Sequence, residues 1–307
     1  MNRARTIRTV GVVVLSANIG LAVAKGLVWQ QTGSLAVGSE ALNSLTDVGY
    51  SLVILAGLYL TTQPPDFEHP HGHERIEPLV SLFVALAIFA TGGIIIWQAA
   101  RAVLTGEVAI AMGPWAIVVL AVAGVVKYGL YRYCLAIDRE WDSPAVRATG
   151  IDSRNDVLTA GAALVGVLGA RAGFPLLDPL AAVIVAIGII YSGWDIVEKN
   201  VDYLVGRRPP DTLHREIVGR ALSHPDVEGV HDVIAHYVGP QIDVSLHVEV
   251  EGERTLTEAH EIESRVIESI RSLDGIDDVF VHVDPKELGE WKDDPDADWL
   301  ADPPRRR

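Results

Sequence analysis

Apolar residues fill the first two thirds of the chain in long unbroken blocks, and the last third alternates apolar and polar positions at shorter period. A helix that crosses a bilayer core needs about 20 apolar residues. Six blocks reach that length, at 9–30, 35–60, 79–104, 112–135, 145–170 and 177–204, and they predict six membrane-spanning helices. The connections after the first, third and fifth blocks are short, whereas those after the second and fourth are longer and charged. Arg3, Arg5 and Arg8 precede the first block, and Arg132, Arg139 and Arg147 are assigned to the loop after the fourth. Under the positive-inside rule this bias puts both termini in the cytoplasm of a multi-pass protein of the cell membrane.

From residue 209 the pattern becomes that of a small soluble domain. Leu213, Ile217, Val218 and Leu222 recur at helical spacing over 211–223. Residues 229–238 and 242–250 alternate as strands, joined by a hairpin at Val238-Gly239-Pro240. Thr257 is the expected N-cap of a helix running to Ser272, and 277–283 completes a third strand. The order αββαβ predicts a two-layer α+β domain at 209–287, after a helical membrane domain at 1–208. The Asp- and Pro-rich residues 288–307 have the composition of a disordered tail.

Charge sharpens this division. The chain of 307 residues has a net charge of −15, and residues 209–307 hold 24 acidic against 10 basic side chains. So acidic a protein is not a nucleic-acid binder, which needs positive charge facing phosphate. The single cysteine, Cys134, excludes an intrachain disulfide and thiolate metal clusters.

Inside the apolar blocks a few polar residues stand out, because an intramembrane ionisable group needs a partner, an ion or water. Asn43 and Asp47 in the second block, and Asp152 and Asp156 in the fifth, are each four residues apart. That spacing puts both members of a pair on one helix face. Two such faces brought together form a site for a divalent cation. Lys25, Glu40 and Lys127 are read as interfacial or paired rather than as members of it. The loop after the second block carries Asp66, His69, His71 and His73, all good ligands for divalent metals. In the soluble domain His231, His247, His260, His282 and Asp284 are ligand types, His247 in the strand phase opposite to the apolar set and His282 and Asp284 on one face of the last strand. His224 and His236 have no evident partners.

Taken together these motifs resemble the cation diffusion facilitator family of metal transporters, over about residues 8–287. The resemblance lies in Glu40-Ala41-Leu42-Asn43-Ser44-Leu45-Thr46-Asp47, in Pro65-Asp66, His69-Pro70 and Gly72-His73, in Glu77-Pro78-Leu79, in Asp152-Ser153-Arg154-Asn155-Asp156 and in Asp178-Pro179-Leu180. It implies a transport site of Asn43, Asp47, Asp152 and Asp156 and a loop metal site of Asp66, His69 and His73. It further implies a metallochaperone-like cytoplasmic domain in which His231, His247, His260, His282 and Asp284 bind metal and support a homodimer. No prosthetic group is implied; the metal is the cargo and a regulatory ligand. Zinc-carrying members commonly have His where Asp152 stands, so the Asn-Asp-Asp-Asp set resembles the manganese-type branch. An oxygen-only site suits a harder ion than zinc, with iron(II) and zinc as the alternatives. Some members lock the dimer with a basic residue, matched by Arg75, and an acid at the end of the sixth span; here Gly206 stands at the acid's place and Asp202 is one turn earlier.

The function implied is proton-coupled export of a divalent cation by alternating access. The rival is a membrane metal sensor or scaffold that transports nothing. An intramembrane hydrolase lacks its motif, since His73-Glu74 is followed by Arg75-Ile76-Glu77 rather than by a second histidine at helical spacing.

Overall fold

Six long helices open the chain in the computed structural model, which describes residues 3–32, 35–64, 66–69, 72–105, 114–174 and 176–287. They are α1 (Arg3–Thr32), α2 (Leu35–Thr61), α3 (Ile76–Thr105), α4 (Pro114–Trp141), α5 (Pro144–Arg171) and α6 (Leu177–Leu204). At 1.5 Å per residue each spans roughly 40 Å, enough to cross a bilayer. Among the described residues, five of the six are also apolar enough to do so. The exception is α5, whose Arg147, Asp152, Arg154 and Asp156 interrupt the apolar run, so the expected sixth span does not stand on composition. Apolar side chains such as Leu86, Trp97, Val125, Ile184 and Tyr191 point outward, as a lipid-facing surface requires.

Hydropathy misplaced one connection. The charged segment after the fourth block is not a loop: Arg132 and Arg139 belong to α4, and Arg147 to the first turns of α5. Arg and Glu are good helix formers, so α4 runs on past the end of its apolar stretch. Asp142 then takes a left-handed φ of 42°, and Ser143, ahead of Pro144, caps α5 by accepting from Val146 N–H at 3.3 Å. The turn brings α5 back antiparallel against α4. A Cβ on Gly150 would lie 3.0 Å from Cys134 Cβ, so the glycine lets the two backbones close.

Glu77 is fully buried near the start of α3. It accepts the Ser143 hydroxyl and, at 3.1 Å, the Arg3 guanidinium, so one carboxylate ties α1, α3 and the α5 cap together. Arg3 also reaches Glu74 at 3.4 Å. The apolar core of this unit includes Ile7, Val10, Ile54, Leu58, Val84, Ile88 and Ile189.

The chain divides into a unit ending at Val201 and a second beginning at Asp202. At the end of α6, Gly206 adopts φ +68° and Arg207 N–H donates to Asp202 C=O at 3.0 Å. The Asp202 carboxylate is held by the Arg207 guanidinium. The second unit then follows the expected order: α7 (Asp211–Leu222), β1 (Gly229–Val238), β2 (Gln241–Val250), α8 (Leu256–Arg271) and β3 (Ile276–Pro285). β1 and β2 pair antiparallel, and β3 joins β2 in parallel. Val244, Leu246 and Val248 pack with Ile217 of α7, with Ile262, Val266 and Ile270 of α8 and with Val281 of β3. Leu222, expected on the buried face of α7, is exposed.

The N-cap of α8 is Thr255, not Thr257. Thr255 Oγ1 accepts from Glu258 N–H at 3.3 Å while Glu258 accepts from Thr255 N–H at 2.8 Å. This is the Thr-x-x-Glu capping box, and the Thr255 amide, joined by the Thr255 hydroxyl, holds the Glu258 carboxyl below its ordinary range. Thr257 falls within the first turn.

Candidate metal sites

The membrane unit brings Asp47 and Asp156 to a single cation, and the cation is Lys127. Its ammonium lies 3.2 Å from Asp47 Oδ2 and 2.6 Å from Asp156 Oδ2. Three helices meet there, α2, α5 and α4. Asp152 is one turn before Asp156 on α5, half-buried, with its charge in reach of Lys127 and Asp156. Asn43 is one turn before Asp47 on α2, and its side chain lies outside the described residues. A cavity of about 110 Å³ touches Lys25, Asp47, Lys127, Asp156 and Thr159. A water's share of liquid volume is about 30 Å³, so a partly hydrated ion fits. A larger cavity of about 500 Å³, edged by Trp97 and Arg101, shares Thr159 and Ala163 as wall.

Lys127 is paired, as read from the sequence, and its partners are the candidate ligands Asp47 and Asp156 themselves. The signal was present: a lysine within an apolar run has to find carboxylates, and Asp47 of α2 and Asp156 of α5 stand in the middle parts of theirs.

In the loop between α2 and α3, Asp66 organises the turn. Its Oδ1 accepts from His69 N–H at 2.7 Å and Glu68 N–H at 2.9 Å, and lies 3.1 Å from His69 Nδ1. These donors, the His69 amide first, hold the Asp66 carboxyl below the usual carboxylate range. His73 Nε2 is 3.5 Å from Asp66 Oδ2, and the two imidazoles lie 4.5 Å apart. Asp66, His69 and His73 thus each offer a ligand atom within 4.8 Å of the others. His71 lies outside the described residues.

In the second unit three histidines form a row across the sheet. His231 of β1 pairs in register with His247 of β2, and His247 with His282 of β3. Ring separations are 5.2 and 4.8 Å. Asp284 serves the whole row, at 2.8 Å from His247 Nδ1, 3.2 Å from His282 Nε2 and 3.5 Å from His231 Nε2. Two overlapping sets, His231-Asp232-His247 and His247-His282-Asp284, could each hold an ion. Asp232 and Glu249 were not foreseen. Asp232 sits in a β-bulge with φ 49°, which turns its carboxylate to 3.1 Å from His231 Nδ1. Glu249 lies 3.9 Å from His231 Nε2.

His260 does not join this row. It projects from α8, 74% exposed and 3.1 Å from Glu263, while α8 packs on the apolar face of the sheet and the histidine row lies on the other. Of the residues set aside, His224 proves to have a partner: its Nδ1 accepts from Asp226 N–H at 3.2 Å.

Residues 11–205 match a cation efflux transmembrane domain and residues 209–286 a cation efflux protein, cytoplasmic domain. An uncharacterized transporter of Methanocaldococcus jannaschii is 37% identical over 87% of this chain and 94% of its own. A cation-efflux pump of Cronobacter sakazakii is 32% identical, covering 86% and 88%. A manganese efflux system protein of Bacillus subtilis is 25% identical, covering 90% and 94%.

Proposed function

The chain belongs to the cation efflux family of divalent-cation transporters, multi-pass membrane proteins that are not enzymes, and from that premise we propose proton-coupled export of Mn²⁺ from the cytoplasm by alternating access. The observation that carries the proposal is the convergence of Asp47 and Asp156 on one cation from two different helices. Carboxylates spaced to share an ammonium are spaced to share a metal ion. With Asn43 and Asp152 the set has only oxygen ligands, which favours manganese, with iron(II) and zinc as the alternatives. The 500 Å³ cavity beside Thr159 supplies a route away from the site. Release follows when protons take the carboxylates, because a protonated carboxyl no longer binds the metal.

This reading makes α5 a membrane span beside the other five, its acidic face turned to the site rather than to lipid, and places both termini in the cytoplasm. It assigns 1–208 to the membrane, 209–287 to the cytoplasm and 288–307 to a tail outside the described residues. Asp66, His69 and His73 form a loop metal site, and His231, His247, His282 and Asp284 a regulatory one. The protein acts as a homodimer. The histidine face of the sheet supports this, because Ile234 and Phe280, level with Ser245 in the next row, are 46% and 58% exposed there.

The decisive experiment is Mn²⁺ uptake into proteoliposomes with an imposed pH gradient, compared with Zn²⁺ and Fe²⁺. Gradient-dependent Mn²⁺ uptake is expected. Tight metal binding with no flux of any of the three would favour a sensor instead. His247→Ala is expected to raise the Mn²⁺ concentration for half-maximal flux by about fivefold and leave the maximal rate nearly unchanged, as an allosteric coupling would. The same uptake assay checks it, and complete loss of transport in folded protein would count against a regulatory role.

A further inference from the structure

Lys127 is the sole charged residue of α4 between Pro114 and Tyr131, and its side chain is only 8% exposed. Taking an ammonium out of water costs several kcal/mol unless close counter-charges offset it. Here the counter-charges come from two other helices, and they are the very oxygens that the proposed cargo needs. A metal ion and the ammonium cannot both lie against Asp47 Oδ2 and Asp156 Oδ2.

We infer that Lys127 is a tethered cation that occupies the transport site between cargo ions, so that a divalent ion enters by displacing it. The inference rests on the reading of Asp47 and Asp156 as cargo ligands. It makes Lys127 a specificity-determining residue. A monovalent ion that replaces the ammonium gains no charge and has to give up its water, so Na⁺ and K⁺ are rejected. A divalent ion brings twice the charge to the same carboxylates and wins the exchange. The lysine also keeps three neighbouring acids from repelling one another when no ion is present, with Lys25 at the same cavity.

The test is Mn²⁺ binding to the full-length protein in detergent, counting only the component that Asp47→Asn removes. Lys127→Gln is expected to tighten Mn²⁺ binding by about tenfold, because nothing has to be displaced. Lys127→Arg is expected to weaken it several-fold, because a guanidinium grips two carboxylates more firmly than an ammonium. KCl is expected to compete strongly with Mn²⁺ in Lys127→Gln and hardly at all in wild type, relative to choline chloride of equal ionic strength. A folded Lys127→Gln protein with unchanged or weaker Mn²⁺ binding, or one indifferent to potassium, overturns the inference. Should that variant not fold, Lys127→Arg decides alone, and wild-type affinity in it is the overturning result. These readouts need no transport. The expected order of affinities across the variants, together with wild-type protein that moves no metal into vesicles, would sink the efflux proposal and leave the tethered lysine standing.

Discussion

Metal uptake by proteoliposomes carrying Asp47→Asn should fall about a hundredfold below wild type, because truncating one partner of a buried charge contact costs about 3 kcal/mol. The substitution is nearly isosteric, and Lys127 keeps Asp156 at 2.6 Å, so the helices have reason to stay in place. What disappears is the negative oxygen on α2, and with it the balance between cargo and site. Asp195→Asn provides the contrast. Asp195 pairs with Lys199 across one turn of α6, about half exposed, and such surface pairs contribute about 0–1 kcal/mol. Uptake by Asp195→Asn should match wild type. Near-normal flux in Asp47→Asn would mean that the ion crosses somewhere else.

The second large effect is on stability. Glu77→Ala should lower the stability of the membrane unit by about 3 kcal/mol, the range found when one partner of a buried ion pair is removed. The loss has two parts. The Arg3 guanidinium loses the nearer of its two carboxylates, and the Ser143 hydroxyl at the α5 cap loses its acceptor. Glu74→Ala removes a pair that is about a quarter exposed on each side, and should cost less than about 1 kcal/mol. Thermal unfolding of the detergent-solubilised protein, followed for both variants beside wild type, checks the difference. Equal, small shifts would show that the Glu77 cluster is held by neighbouring packing instead.

How much of this could be read from the chain alone follows from the range of the forces involved. The long helices were legible because lipid imposes a length and a polarity on each. The strands were legible because alternation has a period of two, and the Val244, Leu246, Val248 face predicted the buried layer correctly. Helix ends were less so. Hydropathy reports where lipid stops, not where hydrogen bonding stops, so the charged end of α4 was mistaken for a loop. The α8 cap was two residues off because two threonines compete, and only the reciprocal reach of Glu258 selects Thr255.

Contacts between elements were the hardest part. His231, His247 and His282 look scattered in the sequence, and they align because strand register sets them level. A bulge of two residues at Asp232 and Val233 adjusts that register, and spacing alone does not announce it. His260 has the right chemistry but lies on the helix layer. Lys127 was judged by its own neighbourhood in the chain, where it is isolated, while its partners come from α2 and α5.

Gly206 narrows the routes open to this chain in evolution. A carboxylate-bearing side chain at that place would inherit a left-handed backbone, a conformation that costs an ordinary L-residue about 1–2 kcal/mol. Asp202, the nearest substitute, is already engaged by Arg207. A single codon change therefore does not set a relaxed carboxylate at this place, and a lineage that needed one would first have to reshape the end of α6.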